Sequence, residues 1–515
     1  MKVGLVNIFS FRPHVHHLMF LNDVLKRSGC DTFFLTCDSG VENCYARAIK
    51  GTSRVGECSK CIIGGVRSFP VGPVTKITPS TSDLTIEQLD GIALSSSCTL
   101  NRTEKETEWL DDTVVETRES FYSPIASVFE SSKNWIKDNQ LDAVICFNGR
   151  IDLTRAVIYA CETLDVPFIT HERTWFGDGI QLIPNANCLA LGAVNSMVKE
   201  YSERPLTKVQ ASIAGKIIGE RFLQRNSLEW RLYNKKPTPA KWPLSHVGKR
   251  VLILPSSKNE FAGHSDWSSE WTDNTRALDD LIDVYSFHPK QLVLRCHPNW
   301  SENIGQADGK RSLKVYHEWA RRRGIYLIDS YSKDSTYDLI QQADIVVMNG
   351  GSSAVEAGAC GKKVICLGPS PYEKAGFVQS FSSRSEMESE SLSKMDTDQV
   401  RRYTLRYLYV RSHRLPQYVD YMKADQTTKY RFYEGADGDR IIQMFHSGKI
   451  LADDQKYSDN ERFEDEVIRK LRNQNWLELS EYSGVAANTK ELKIQRRFGL
   501  AWIDGLREKF SRGDR

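Results

Sequence analysis

The sequence has no run of eighteen apolar residues, so it offers no segment built to cross a bilayer as a helix. It has no surplus of either charge: 69 basic side chains against 66 acidic ones leave +3, which argues against nucleic acid as the principal partner. The apolar start MKVGLVNIFSFRPH does not read as an export signal, because Asn7, Arg12 and His14 interrupt it before a signal core can form. A cytoplasmic protein with reduced thiols is the expectation. The chain also lacks a solenoid-type repeat. No Asp-x-Asp motif stands in a setting that would hold the metal of a bound nucleotide.

What is present is an ordinary globular composition, 40% hydrophobic and 26% charged, spread over 515 residues. That length exceeds what one hydrophobic core organises, so two or three domains are expected. Short β-branched runs alternate with longer amphipathic stretches, the pattern of parallel strands joined by crossover helices. The pattern occurs twice. In the first half VGLVNIF, DTFFLTC, LDAVICFNG and VPFITHE read as strands, with helices carrying Leu18, Phe20, Leu21, Val24 and Leu25, then Ala156, Val157, Ala160 and Leu164. The proline- and lysine-rich segment from 235 to 250 reads as a linker. Beyond it RVLILPSS, KQLVLRCHP, GIYLIDS, ADIVVMNGG and KKVICLG are five further strand-like runs.

Three segments follow: 1–240 as an acceptor-side α/β domain with a four-cysteine loop, 248–440 as a nucleotide-sugar-binding α/β domain, and 441–515 as a helical extension. A Ser/Glu-rich loop precedes residue 398, after which the chain reads as helices. The last of these sets Ile494, Phe498, Trp502 and Leu506 at helical spacing among basic residues. Such a helix suits either peripheral attachment to the inner membrane face or docking on the body with a solvated basic side.

In an open α/β sheet, ligands sit at the carboxyl ends of the strands. His297 stands there, before Pro298, which keeps it extended. The run NGGSSAVEAG then sends a buried strand through Gly351 into a helix opening at Ser352 and Ser353, where free amides and the helix dipole favour a phosphate. Glu356, one turn on, can accept from ribose hydroxyls. Alternatively, Ser-x-x-Glu is the spacing of a capping box. The loop after the first strand of this half supplies Ser256, Ser257 and Lys258, the lysine suited to charge on a departing nucleotide. Asn259, Glu260 and His264 are further cleft candidates.

HPN, GGSSAVEAGACGKKVICLG and the following YEKAGF resemble the donor half of bacterial capsule and lipopolysaccharide glycosyltransferases, including the capsule Kdo-transferase and bacterial sialyltransferase groups. The resemblance covers roughly residues 250 to 380. It implies two Rossmann-like doubly wound domains facing a cleft, the GT-B arrangement, with C-terminal helices. It also implies a UDP-, GDP- or CMP-linked sugar donor whose phosphates are held by His297, Ser352 and Ser353 and whose ribose is held by Glu356. The same signature is similar to that of teichoic-acid glycerophosphotransferases. A sugar-nucleotide epimerase on this fold and a non-catalytic glycan-assembly subunit are the other readings.

On the acceptor side, Arg12, His14, His16 and His17 lie where the first strand turns into its helix, and an imidazole there is suited to deprotonating a sugar hydroxyl. A metal at this turn would need a carboxylate or cysteine that the local sequence does not supply. Asn148, Arg150, Arg155, His171, Glu172, Arg173 and Asp178 follow two other strands, and Glu172 is a rival general base. Cys37, Cys44 and the Cys58-x-x-Cys61 pair have the composition of a tetrathiolate site for structural zinc or an iron–sulfur cluster. The expected reaction is transfer of a sugar to a hydroxyl of a glycan or glycolipid acceptor.

Overall fold

A computed structural model describes residues 1–225, 237–245, 248–303, 308–482 and 490–510, with side chains to 506 in the last stretch. The first sheet comprises β1 (Lys2–Asn7), β2 (Asp31–Thr36), β3 (Val74–Lys76), β4 (Ala143–Phe147), β5 (Phe168–Arg173) and β6 (Ile180–Pro184), in the order β3-β2-β1-β4-β5-β6. All its pairings are parallel except β5 with β6. The second comprises β7 (Val251–Leu254), β8 (Leu292–Arg295), β9 (Tyr326–Ile328), β10 (Ile345–Met348), β11 (Lys363–Leu367) and β12 (Val378–Phe381), in the order β12-β11-β10-β7-β8-β9 and wholly parallel. Counted from its own first strand, each sheet reads 3-2-1-4-5-6. This is the doubly wound dinucleotide-binding order, with its switch point between β1 and β4 in one sheet and between β7 and β10 in the other.

The continuous apolar strands are explained by cover on both faces. In β1, Val6 faces one cluster with Leu35, Val144 and Cys146, while Val3 and Leu5 face another with Phe34, Ala143 and Ile145. In the second sheet Leu252, Val346 and Met348 face one cluster, and Val251, Ile253 and Val347 the opposite one. Gly4 brings a covering helix, Tyr122–Asn139, close to the strand. A Cβ there would sit 2.5 Å from the Trp135 ring.

The packing does not respect the expected boundaries at 240 and 440. Helices Gly192–Ser202 and Lys208–Phe222 contribute Val194, Val198, Ala211, Ala214 and Ile218 to the core of the second sheet. The chain has therefore crossed over well before the proline-rich segment. It crosses back at a hairpin absent from the sequence expectation, β13 (Met422–Gln426) with β14 (Lys429–Phe432). Met422, Phe432, Ile441 and Phe445 join Val3, Leu18 and Phe20 of the first domain. Helix Arg462–Arg472 then returns, placing Val467, Ile468 and Leu471 in the second core.

The last helix spans Trp502–Phe510, shorter than the expected run. Ile494 packs on the first core and Ile503 is buried, whereas Phe498, Trp502 and Leu506 are exposed. Arg496 pairs with Asp504 at 2.7 Å and lies over the Phe69 ring. Among the described residues no helix is long and apolar enough to cross a membrane.

Candidate active site

At the second switch point, Asn349 stitches β10 to the loop after β7. Its Oδ1 accepts from the Ser256 amide at 2.7 Å and its Nδ2 donates to the Ser256 carbonyl at 2.6 Å. Gly350 follows with φ +102°, a conformation that glycine alone adopts readily. A Cβ placed on Gly351 would lie 3.7 Å from both Ser256 Oγ and Ser353 Oγ, so two hydroxyls flank this point of the backbone. Ser352 is exposed and makes no side-chain cap to helix Ser353–Ala359; the capping box is not formed.

Lys258 reaches toward the end of β11, its Nζ 3.4 Å from the Cβ position of Gly368. Burial pulls its pKa down, against Glu106, Asp273 and Glu104, which hold it up. Ser257 Oγ accepts from Trp300 Nε1 at 2.9 Å, which ties this loop to the turn carrying His297. That turn, Pro298–Ser301, opens on a buried Pro298, with His297 extended before it. Its Nδ1 accepts from the Asn299 amide at 3.2 Å. Ser353, Gly351, Ser256, Ser257, Trp300 and His297 thus form a continuous row along the carboxyl edge.

Glu356 stands elsewhere. Its carboxylate is 3% exposed, and Oε1 accepts from Arg221 Nε at 2.5 Å, joining its helix to Lys208–Phe222. The ribose contact expected of it gives way to this buried ion pair, because the helix turns its first carboxylate inward.

On the acceptor side, Glu172 at the end of β5 is held from three directions. Its Oε1 lies 3.2 Å from His14 Nε2 and accepts from the Arg173 amide at 3.0 Å; its Oε2 accepts from Asn148 Nδ2 at 2.9 Å. Asn148 itself sits at φ +62° immediately after β4. His14 is buried, and desolvation followed by the Arg173 charge lowers its pKa to about 3. A neutral His14 then orients Glu172 through its Nε2 contact.

Several expected cleft residues have other employment. His16 is turned to a different helix face, where it lies 3.7 Å from Asp504 and against the Phe69 ring, so it does not share the Glu172 site. Arg150 is buried and donates to Ser95 and Thr99 hydroxyls at 2.9 and 3.1 Å, fixing helix Ile86–Asn101. Asp178 accepts from the Ala424 amide at 2.7 Å and pairs with Lys423, anchoring the hairpin. Arg155 pairs with Glu162. Arg12 and Arg173 are half-buried beside His14 and Glu172 in sequence.

The two edges face each other. Ser95 Oγ donates to the Glu260 carbonyl at 2.9 Å, His264 Nε2 lies 3.1 Å from Asn187 Oδ1, and Trp267 Nε1 donates to the Leu189 carbonyl at 2.8 Å. Asn187 and Leu189 flank Cys188, whose amide donates to the Asn148 carbonyl at 2.9 Å. The first domain also reaches the carboxyl edge of the second sheet through a residue the sequence did not single out. Glu104 is buried beside Ser257, accepts from Ser312 Oγ, and has its pKa raised to about 7 by burial. Nearby Arg102 donates to the carbonyls of Asn299 and Glu302.

The cysteine group does not fit a metal. Cys37, Cys44, Cys58 and Cys61 line one hollow, yet among the described residues they do not belong to any group of three ligand atoms lying within 4.8 Å of one another. Burial raises the pKa of Cys37 to about 11 and those of Cys44 and Cys61 upward too. The group that does meet the distance is His14, His17 and His171.

No protein-family model matches the sequence, and no curated protein matches it either. Solved structures similar to this chain include two from Thermosulfurimonas dismutans KpsC. Its beta Kdo 2,7 transferase is 15% identical, over 67% of this chain and 89% of that one, with a TM-score of 0.34. Its beta Kdo 2,4 transferase is 12% identical, over 64% and 87%, with a TM-score of 0.32. Acinetobacter baumannii MurG is 11% identical, over 79% and 94%, with a TM-score of 0.27. Sugar-nucleotide epimerases stand among these neighbours as well. So loose a likeness carries nothing about chemistry, which must come from the chain's own geometry.

Proposed function

We propose that the chain transfers a sugar from a nucleotide-sugar donor to a hydroxyl of a surface glycan or glycolipid. One observation supports the reading: the Ser95–Glu260 and His264–Asn187 hydrogen bonds join two doubly wound sheets, one carrying Glu172 at a strand end and the other carrying Ser256, Lys258 and His297 beyond its strands. In this reading Glu172 takes the proton of the acceptor hydroxyl as its oxygen bonds to the anomeric carbon. The bond from that carbon to the donor phosphate breaks, and its electron pair leaves with the phosphate. Lys258, His297 and the backbone at Gly351, Ser352 and Ser353 receive the charge. His14 and Asn148 position the base.

The test is incubation of the full chain with UDP-, GDP- and CMP-linked sugars, with and without capsule or lipopolysaccharide acceptors. Release of nucleotide that depends on acceptor is the expected result. Isomerisation without acceptor points to an epimerase, transfer of glycerol phosphate to a glycerophosphotransferase, and binding without turnover to a non-catalytic subunit; each of these sinks the proposal.

A further inference from the structure

We propose that His14, His17 and His171 form a binding site for one divalent transition-metal ion of the zinc class, behind Glu172. His14 and His17 are one turn apart on helix His14–Arg27 and so share a face. His171 arrives on β5, two strands from the one that leads into that helix. One nitrogen from each ring lies within 4.8 Å of the others, and all three residues are buried, at 8%, 0% and 1% exposure.

Buried imidazoles in a finished core are hydrogen-bonded. Here both ring nitrogens of His17, both of His171 and Nδ1 of His14 have no hydrogen-bond partner in the protein. Each of the three rings thus brings one nitrogen within 4.8 Å of the others, and those of His17 and His171 lack a protein partner whichever nitrogen it is, where packing alone would have favoured apolar residues. Glu172 adds a second mark. Its carboxylate against His14 Nε2 directs the proton to that nitrogen and leaves Nδ1 as a lone pair, the outer-shell arrangement that orients metal-bound histidines.

Three nitrogens and an adjacent carboxylate suit zinc or its cobalt and nickel analogues better than a hard cation. Metal–nitrogen bonds of about 2.0–2.1 Å place the donor atoms roughly 3.4 Å apart, a separation inside the 4.8 Å that the three rings already meet. The Tyr430 ring, edge-on to His17 at 4.6 Å, covers the site. So enclosed an ion fastens the first helix to β5 and fixes Glu172. The site is defined by its donors and does not rest on the proposed transfer reaction.

The full chain, stripped with a chelator, is titrated with Co(II). One equivalent should produce visible ligand-field absorption without sulfur charge transfer, and Zn(II) should displace it. His17→Ala should weaken binding by about a hundredfold or more, and Glu172→Gln by about 10–100-fold. A Cys58→Ser, Cys61→Ser variant should bind as the wild type does. Absence of stoichiometric binding by the wild-type chain overturns the site whatever the variants do. Sulfur charge transfer that disappears in the cysteine variant also overturns it.

Discussion

Glu172 and Glu104 are carboxylates with opposite tasks, and their surroundings make the difference. Glu172 is partly open and braced by Asn148 and His14. In the proposed transfer, replacing it by Gln keeps the shape and removes the base, so kcat should fall by about 10²–10⁴ with donor KM little changed, measured by steady-state kinetics. Glu104 is closed off, with a pKa raised from 4.5 to about 7. A carboxyl whose folded pKa is raised contributes its full stability below 4.5 and loses it as pH climbs toward 7. Glu104→Gln should therefore gain on the wild type through that window, by on the order of 3 kcal/mol at most, in urea unfolding across pH. The strand-end placement of His14, Glu172, Ser257 and Lys258 could be read from the sequence, because each stands at or just beyond the carboxyl end of an apolar run. That of Glu104 could not, since it lies on an irregular segment, and neither could the approach of His171 to His17, which depends on strand order.

The Glu356–Arg221 pair joins two helices across the chain's crossover. Glu356→Gln removes the charge that answers a buried guanidinium, and unfolding should become easier by about 3–5 kcal/mol. Adding Arg221→Met should recover most of that loss, which denaturant titration of the single and double variants can read. At this scale the central strands were plain from their unbroken apolar runs. β3 is three residues long, β6 pairs antiparallel at the edge, and β12 opens a polar stretch. β3 and β12 carry no buried β-branched run, and β6, although buried throughout, is broken by Gln181 and ends in Pro184. The hairpin β13–β14 was hidden by polar residues on its exposed face.

Over the whole molecule, two matching sheets were readable as two repeats of one pattern, but their boundary was not. Pro237, Pro239, Lys241 and Pro243 stand on irregular backbone, whereas burial decides which core a helix serves. Cutting the gene in that stretch should yield two polypeptides that are insoluble alone and recovered as a soluble pair when co-expressed, as size-exclusion chromatography can show. Because the backbone passes between the lobes near residue 190, again near 418 and again before 462, any opening motion must bend several strands of chain at once. Rotation about a shared axis is then easier than wholesale separation, so substrates would enter by a narrow rocking of the lobes.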